Sequence, residues 1–306
     1  MTIAAAVDLG TNSFRLLVAR VEDGRIAPLA KELASVRLGQ GLAGSGELAA
    51  EAMARGLAAL RGFAAIMTRY QPERLRACGT HALRVAGNRD AFLQEAANIL
   101  GAPVEVVEPA EEAGLSLGGA QHFLGQKVSV LLADVGGGSS ELVWRDDRGT
   151  VQSVSIPVGA VSLTERYLPD PGPASPEALA ALRQGIAGPL AGLALPPLPL
   201  VGSGGTATAC AALDLELAAY DAALVQGYRL PHPRLAALIR RLAGLDRSAR
   251  CRLPGLDQGR GEIVLAGALI YEQLLLRTGQ ELLTVSDAGL LEGILLSCRA
   301  PAATGH

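Results

Sequence analysis

One motif occurs twice in this chain, and this repeat constrains the fold more than any other feature of the sequence. DLGTNSFRLLV at residues 8–18 aligns with DVGGGSSELVW at residues 134–144, so that aspartate, glycine, serine and leucine recur in step. Each copy follows an apolar run and leads into another, which predicts a strand, a tight glycine-bearing turn and a returning strand. The sequence therefore predicts two copies of one hairpin, each of which begins a sheet.

The turn of each hairpin has the composition of a phosphate-binding loop. Small residues let backbone N–H groups approach phosphate oxygens, and an aspartate at the end of the first strand, Asp8 or Asp134, can hold a cation or a water. A plain hairpin turn or linker is the alternative reading of the GGGSS segment at residues 136–140. The copies differ at one charged position, where Arg15 aligns with Glu141. One loop thus offers a charged clamp, and the other offers a carboxylate for metal or proton chemistry.

Length and charge limit the classes of function. The chain has 306 residues, of which 49% are hydrophobic, enough for two domain cores. A net charge of -3 and a pI near 5.9 argue against a general binder of nucleic acid or membrane surfaces, so we expect a small partner. The cysteines and histidines show neither metal-ligand spacing nor a disulfide framework, and the N-terminus has no signal-peptide pattern. We therefore expect a cytoplasmic protein.

Hydrophobic periodicity predicts an α/β fold with a mixed sheet in each of two domains. After the first hairpin the chain turns at Asp23–Gly24 into a third antiparallel strand, and helices and strands then alternate. The predicted elements include helices over 47–70, 88–100 (capped by Asn88) and 109–124 (Pro109 in the first turn), and strands over 75–80 and 104–108. The first domain is expected to cover residues 1–125 and the second 126–306, with a C-terminal helix at about 289–300 that could pack back on the first. The proline-rich stretch at 168–176 would then be a surface loop inside the second domain.

Two further segments outside the repeat, one glycine-rich and one acidic, are candidates for functional sites. The GSGGTAT segment predicts a glycine turn with Thr206 near a helix N-terminus, where the dipole favours an anion, although close helix–strand packing would also select Gly204 and Gly205. Glu111 and Glu112 fall in the first turn of a predicted helix, where acidic residues stabilise the dipole. Because neighbouring side chains diverge by about 100° around a helix, one of the two is free to point into a cleft as a general base.

Arginines mark two other regions. Arg84 follows the fourth predicted strand and precedes a helix, at the edge where α/β sheets bind ligands, and a surface ion pair is the alternative. Six arginines toward the C-terminus could line a groove for a long polyanion, although most such runs are solvated faces. These six are Arg240, Arg241, Arg247, Arg250, Arg252 and Arg260.

Together these segments resemble the motifs of the Ppx/GppA phosphatases, the exopolyphosphatases and guanosine pentaphosphate phosphohydrolases of the actin/sugar-kinase/Hsp70 superfamily. The motifs stand in the family's order from residue 5 to about residue 296: DLGTNSFRLLV, THALRVAGN, the EEA of PAEEAGLSL, DVGGGSSELV, IPVGAV, GSGGTATACAAL, QGYRL, LPGLDQGRGEIVLAGALI and VSDAGLLEG. The resemblance implies the short form of the family. Its α/β fold would have two actin-like (ribonuclease H-like) domains, each with a mixed sheet and flanking helices, and the active site in the cleft between them.

The resemblance also implies roles for individual residues. Glu112 would be the base that activates water, and Glu141 would be a catalytic or metal-binding carboxylate. Asp134 would help to hold Mg²⁺ (or Mn²⁺), and Asp8 is a further candidate ligand. The residues expected to bind phosphate are Asn12, Ser13, Arg15, Arg84, Gly137, Gly138, Ser139, Gly204, Gly205 and Thr206.

The chain departs from the family pattern at four positions. Ser162, Ala288 and Leu291 stand where the family commonly has arginine, and the family's V-H-G motif has Gln226 in place of histidine. Three potential phosphate-side cations are therefore missing, which bears on affinity for a long polyphosphate chain or for the pentaphosphate nucleotide.

The motifs favour an Mg²⁺-dependent phosphohydrolase. Its reaction would release terminal orthophosphate from inorganic polyphosphate, with hydrolysis of pppGpp to ppGpp as a related reaction. Two alternatives remain: an actin-fold kinase, which shares both phosphate loops, and a non-enzymatic or weakly active binder of polyphosphate or alarmone, which the missing arginines would suit. We expect polyphosphate or guanosine pentaphosphate as the partner, no nucleic acid or membrane partner, and a homodimer.

Overall fold

The computed structural model of the protein describes residues 2–22, 25–125, 129–256 and 259–298. The chain divides into two units: unit 1 contains the residues up to Gly119 together with those from Leu290 onward, and unit 2 contains Ala120–Gly289. The chain therefore leaves unit 1, forms unit 2, and returns to unit 1 with its last helix. The turn predicted at Asp23–Gly24 lies outside the described residues.

Unit 1 contains a five-stranded mixed sheet with helices on both faces. Its elements are β1 (Thr2–Leu9), β2 (Ser13–Glu22), β3 (Arg25–Ser35), α1 (Leu42–Ser45), α2 (Ala50–Tyr70), β4 (Arg74–Gly79), α3 (His81–Val85), α4 (Arg89–Leu100), β5 (Val104–Val106), α5 (Pro109–Phe123, which continues past Gly119) and, at the C-terminus, α13 (Leu290–Leu296). The strand order is β3-β2-β1-β4-β5. The first three strands form an antiparallel meander, as predicted, and β4 and β5 run parallel to β1.

The central strand β1 is apolar along almost its whole length because both faces of the sheet are covered. Ala5, Val7 and Leu9 belong to the core that α2 and α4 close on one face. Ala4 and Ala6, on the other face, pack against α13. A strand that is buried on both sides reads as a continuous apolar run, which is the pattern that the sequence shows ahead of the first turn.

Unit 2 repeats this sheet and extends it by one strand. Its elements are β6 (Leu131–Val135), β7 (Ser140–Arg145), β8 (Val151–Ile156), α6 (Ala160–Tyr167), α7 (Pro176–Ala191), β9 (Leu200–Ser203), α8 (Gly204–Asp214), α9 (Ala222–Val225), β10 (Arg229–Pro231), α10 (His232–Ala243), α11 (Arg247–Cys251), α12 (Arg260–Thr278) and β11 (Leu282–Ser286). The strand order is β10-β11-β9-β6-β7-β8. The run β8-β7-β6-β9-β11 reproduces β3-β2-β1-β4-β5 in order and direction, and β10 adds an antiparallel edge strand. The duplication predicted from the hairpins is therefore confirmed for the sheets that contain them.

The long apolar segment near the C-terminus forms the core helix α12. Leu265, Leu269 and Leu274 are fully buried, and α6, α7, α8 and α10 pack around the helix. Glu272, which interrupts the apolar stretch, is buried but accepts a hydrogen bond from Arg183 (Nε–Oε2 2.7 Å). Among the residues that the structure describes, no helix is long and apolar enough to cross a bilayer.

The predicted cap of α4 is wrong in its chemistry although its position is right. Asn88 precedes the first residue of the helix, but its side chain makes no capping hydrogen bond. The amide instead accepts a hydrogen bond from the Leu48 N–H (2.8 Å) and donates one to the Leu48 carbonyl (3.0 Å). Asn88 thus ties the start of α4 to the segment before α2, because a two-sided contact with a distant backbone satisfies more of its polar atoms than one cap would.

We expect Leu291→Ala to destabilise unit 1 because Leu291 of α13 is only 2% exposed against the sheet. The loss should be about 2–5 kcal/mol in the free energy of unfolding, as for other buried leucines. Urea denaturation would measure it. The matched control is Leu276→Ala in α12, where the leucine is 58% exposed, and that change should stay within about 0.5 kcal/mol. Equal effects of the two substitutions would contradict the packing of α13 on the sheet.

Candidate active site

The two predicted phosphate loops have the same backbone geometry. In the first, Asp8 of β1 lies opposite Arg15 of β2, and the Gly10 N–H donates to the Ser13 carbonyl (3.1 Å). In the second, Asp134 of β6 lies opposite Glu141 of β7. There the N–H of the first turn glycine donates to the carbonyl of the serine three residues on (2.9 Å), as in the first loop. The predicted strand–turn–strand is confirmed in both copies, including the pairing of the one charged position at which they differ.

The second loop is braced from behind by the start of α6. The Ala160 N–H donates to the Gly136 carbonyl (2.9 Å), and the N–H groups of Val161 and Ser162 donate to the Gly137 carbonyl (2.8 and 3.1 Å). A Cβ at Gly159 would overlap the backbone of the loop, so glycine alone permits this approach. The loop carbonyls are therefore occupied. Among the described residues no acceptor takes the N–H groups of Gly137 or Gly138, which are available to an anion.

Two carboxylates lie at the end of the strand pair that carries this loop. Asp134 and Glu141 are direct cross-strand neighbours, so their side chains leave the same face of the sheet with Cβ atoms about 5 Å apart. The Oε1 atom of Glu141 accepts hydrogen bonds from Ser139 (2.7 Å) and Ser155 (3.0 Å). Its Oε2 atom accepts none from the described chain. Glu141 is thus held in one orientation with one oxygen left for a metal, a water or a substrate proton.

The GSGGT turn lies beside Asp134 because β9 runs parallel to β6 and pairs Ser203 with Asp134. Gly204 has φ +76°, and a Cβ at this position would lie 2.5 Å from Oδ1 of Asp134. The buried hydroxyl of Tyr271 contacts the Ala133 carbonyl (3.2 Å) and the Ser203 carbonyl (3.1 Å). Burial raises the pKa of Tyr271 well above its ordinary value, so the hydroxyl stays protonated and joins the residues before Asp134 and Gly204.

Thr206 lies in the first turn of α8, as predicted, and Arg260 is the first residue of α12. Thr206, a phosphate-binding candidate, is buried, and its hydroxyl donates to the Val135 carbonyl (3.0 Å), so its visible role is to fasten α8 to β6. Arg260 is a member of the C-terminal arginine run. Its guanidinium lies so close to Gly205 that a Cβ at position 205 would overlap the guanidinium. The sequence signal for this cation is its place at the start of a helix, between Gly259 and Gly261.

The arginine run as a whole does not form one polyanion groove. Arg250 is 1% exposed and donates to the carbonyls of Leu242 (3.3 Å) and Leu245 (2.8 Å) at the end of α10. Burial lowers its pKa from the ordinary value. Arg247 donates to the Leu168 carbonyl (3.0 Å). The groove hypothesis is therefore wrong for these two arginines, whose guanidinium groups satisfy backbone carbonyls.

The neighbouring glutamates of α5 point to different partners, as their helical spacing predicts. Glu111 accepts a hydrogen bond from Nη2 of Arg76 (2.5 Å). Glu112 forms an ion pair with Nη1 of Arg84 (3.1 Å), and both side chains are partly buried. Glu112 is therefore the glutamate that lies next to a phosphate-binding candidate.

The guanidinium of Arg84 is anchored on one side only. Its Nη1 atom donates to the Val107 carbonyl and to Oε2 of Glu112. Within the described chain, Nε and Nη2 donate to no protein atom. That pair of N–H groups forms the fork geometry that matches two phosphate oxygens.

The remaining candidates of unit 1 lie at the first loop. Asn12 is exposed at the turn, and its backbone carbonyl accepts from the N–H groups of Val36 (3.0 Å) and Arg37 (2.8 Å). Asp8 is buried beside the turn, opposite Arg15. The side chain of Arg15 makes no hydrogen bond or ion pair with any described residue. The loop thus presents a half-buried cation without an internal partner, as a clamp for an anion requires.

The carboxylates near the second loop suit an open Mg²⁺ site, which water and substrate complete, better than a site formed by protein ligands alone. The described residues contain no group of three or more His, Cys, Asp and Glu side chains that could hold a metal ion. Mg²⁺ is usually bound by one or two carboxylates, with waters and substrate phosphates completing the octahedron. Asp134 and Glu141, beside free loop amides, fit this requirement.

The departures from the family pattern have different structural settings. Leu291, where the family commonly has arginine, packs in the apolar cluster between α13 and the sheet. Ala288 is buried as well. Ser162 is exposed at the start of α6, beside the second loop. Gln226 accepts a hydrogen bond from the Asp287 N–H (2.8 Å) and so supports the turn after β11.

Matching sheets, each headed by a phosphate-loop hairpin, define the class of two-domain actin-like proteins. Within that class the chain belongs to the Ppx/GppA phosphatase family, whose model matches residues 17–300. It is 38% identical to exopolyphosphatase 2 of Mycobacterium tuberculosis, over 97% of this chain and 98% of the relative. It is 30% identical to a putative exopolyphosphatase of Haemophilus influenzae, over 96% of this chain and 90% of the relative.

The fold agrees closely with that of a solved relative. A crystal structure of the Aquifex aeolicus Ppx/GppA phosphatase superposes with a TM-score of 0.88 at 27% identity, covering 97% of this chain and 99% of the other. The expectations of a Ppx/GppA protein and of two actin-like α/β domains are therefore confirmed.

We expect Gly159→Ala to distort the second loop because the added methyl group overlaps its backbone. The cost should be about 1–3 kcal/mol in the free energy of unfolding, as for other overpacked sites, with weaker binding of phosphate-containing ligands. The control is Gly62→Ala in α2, where a Cβ meets no atom within 4 Å. That change should stabilise the helix by about 0.5–1 kcal/mol. Thermal unfolding and calorimetric titration with tripolyphosphate would measure both. Normal stability and binding in Gly159→Ala would contradict the bracing by α6.

Proposed function

We propose that this protein is an exopolyphosphatase, a phosphohydrolase that releases terminal orthophosphate from inorganic polyphosphate in an Mg²⁺-dependent reaction. The observation that carries the proposal is the pair of cross-strand carboxylates, Asp134 and Glu141, beside a glycine loop in which the N–H groups of Gly137 and Gly138 donate to no described acceptor. The named activity of the exopolyphosphatase relatives supports it. Mn²⁺ is proposed as an alternative metal, and pppGpp as an alternative substrate because it ends in the same anhydride-linked phosphate.

The second loop is assigned to the reacting phosphate. Asp134 and Glu141 would hold Mg²⁺, which when bound neutralises charge on the phosphate oxygens and orients the anhydride. The N–H groups of Gly137 and Gly138 would donate to the same phosphoryl group, since no acceptor in the described part of the chain competes for them. Ser139 and Ser155 fix the Glu141 carboxylate before substrate arrives, so little reorganisation is needed during the reaction.

Glu112 is assigned the role of general base. Its carboxylate accepts a proton from water as the water oxygen attacks the terminal phosphorus, and the bond to the bridging oxygen breaks. The products are orthophosphate and a polyphosphate shortened by one unit. Arg84 would contribute Nε and Nη2 to the phosphate while Nη1 keeps its contact with Glu112. Most of the catalysis then comes from positioning and charge neutralisation, as in other phosphoryl transfers.

Arginines at both loops are assigned to the rest of the substrate. The side chain of Arg15 pairs with no described residue, and the guanidinium of Arg260 lies against Gly205, so we assign both arginines to phosphate oxygens of the substrate. An arginine binds phosphate through paired N–H groups, which favours a substrate with a series of regularly spaced anions. We propose that the protein acts in the cytoplasm as a homodimer.

Removal of either assigned carboxylate should abolish most of the activity. We expect Glu112→Gln to lower kcat by about 10²–10⁴-fold, the range that a positioned base contributes. Glu141→Gln should lower kcat and also raise the Mg²⁺ concentration that gives half-maximal activity. The control is Glu95→Gln, an exposed glutamate of α4, which should leave both quantities unchanged. Orthophosphate release from polyphosphate would be followed, and a wild-type rate in Glu112→Gln would refute its role as base.

Metal removal and product analysis distinguish this function from its alternatives. We expect orthophosphate release without any added acceptor, loss of activity in EDTA, and recovery on addition of Mg²⁺, because the site supplies only two carboxylates to a cation. Long-chain polyphosphate, short chains and pppGpp would be compared side by side. Transfer of phosphate only to an added hydroxyl acceptor would indicate a kinase, and tight binding without turnover in saturating Mg²⁺ would indicate a binding protein.

A further inference from the structure

Arg76 of β4 joins three separate segments of unit 1. Its Nη2 atom donates to Glu105 of β5 (2.7 Å) and to Glu111 in the first turn of α5 (2.5 Å), and its Nη1 atom donates to the Ser297 hydroxyl after α13 (2.6 Å). The side chain is only 16% exposed. Hydrogen bonds to Glu105 and Glu111 raise the pKa of Arg76 above its ordinary value and outweigh the opposite effect of burial. The guanidinium therefore stays charged.

Stability alone does not explain this network. Glu105 and Glu111 are about half exposed, and ion pairs with exposed partners contribute little to the free energy of folding. The guanidinium is nevertheless held from three directions in one place. A rigid arginine with several fixed partners defines the orientation of the groups that it binds.

The group most affected by that orientation is Glu112. It follows Glu111 directly, so their side chains leave the helix about 100° apart and are set by the same rotation of the first turn. With Glu111 held by Arg76, Oε2 of Glu112 lies 3.1 Å from Nη1 of Arg84. The turn is also fixed along its axis, because the Glu112 N–H donates to the Glu108 carbonyl (2.9 Å).

We propose that Arg76 is a positioning residue that, through Glu111, sets the direction of the Glu112 carboxylate toward Arg84. This inference rests on the proposed role of Glu112 as general base. Arg76 itself touches neither the water nor the phosphate. Ser297 joins the segment after α13 to the same network, so this segment contributes to the alignment of the base.

The closing experiment compares Arg76→Gln with Arg183→Gln. Arg183 also pairs with a carboxylate at 2.7 Å, that of Glu272 in unit 2, and so controls for the loss of one buried ion pair. We expect Arg76→Gln to lower kcat for orthophosphate release by about 10- to 100-fold, the effect of a small misplacement of a reacting group. KM should change by less than about threefold, since the loops and Arg84 still bind substrate. Arg183→Gln should leave both unchanged, and Arg76→Lys should recover part of the rate by pairing with one carboxylate.

A double-mutant test separates positioning from a merely structural role. If Arg76 acts through Glu112, then Arg76→Gln should cause no further loss of kcat in the Glu112→Gln background. Equal losses in both backgrounds, or a wild-type kcat in Arg76→Gln beside an impaired Glu112→Gln, would overturn the proposal. A wild-type rate in Glu112→Gln would instead refute the role of Glu112 as base. The exopolyphosphatase activity itself would still be decided by orthophosphate release from polyphosphate.

A second variant covers the case in which Arg76→Gln does not fold, as judged by circular dichroism. Glu111→Gln removes the charge of one partner, which weakens its hydrogen bond with Arg76, and leaves the pair between Arg76 and Glu105 in place. The cavity of about 430 Å³ beside Arg76 and Glu111 leaves room for the change. We expect Glu111→Gln to lower kcat by at least about threefold with KM nearly unchanged. A folded Glu111→Gln with wild-type kcat would refute the route through Glu111.

Discussion

The register of two antiparallel strand pairs is the constraint on which the rest of this structure depends. Side chains alternate between the faces of a sheet, so a shift by one residue would move every side chain of a strand to the opposite face. At the present register Asp134 and Glu141 face each other across β6 and β7 and leave the same side. The turn hydrogen bond in each hairpin fixes that register at the point where phosphate chemistry needs it.

The same backbone serves two different chemical purposes. Asp8 and Arg15 in unit 1 occupy the pairing that Asp134 and Glu141 occupy in unit 2, so one loop carries a cation where the other carries a carboxylate. The surrounding structure holds the second loop rigid, because α6 occupies its carbonyls and Tyr271 joins the strands beneath it. Donors that are fixed before substrate binds stabilise developing charge without reorganisation. The two sheets thus share one scaffold and differ in charge at one paired position of the hairpin.

The sequence predicted the elements whose signal is local, and it failed where a distant partner decides the outcome. The hairpins, the meander and the helix that begins at Pro109 follow from short-range patterns of apolar residues, glycine and proline. The divergence of Glu111 and Glu112 also followed from helical spacing, but their partners could not be predicted because Arg76 and Arg84 approach from elsewhere in the chain. The sequence pattern predicted that Asn88 caps α4. Its side-chain amide instead bonds the backbone of Leu48, which the local sequence does not reveal. The burial of Arg250 and Thr206 likewise depends on carbonyls that only the folded chain brings to them.

The placement of α13 has a consequence for the order in which the protein forms during synthesis. Residues 120–289 are translated between the first sheet and the helix that covers its second face. At about 5–20 residues per second, Ala4, Ala6 and Leu17 wait on the order of ten to thirty seconds for their covering helix. Unit 2 can complete its own core before α13 is made, whereas unit 1 needs that helix to cover the second face of its sheet. Until α13 is made, the nascent chain therefore exposes an apolar sheet face, and surfaces exposed in this way promote aggregation.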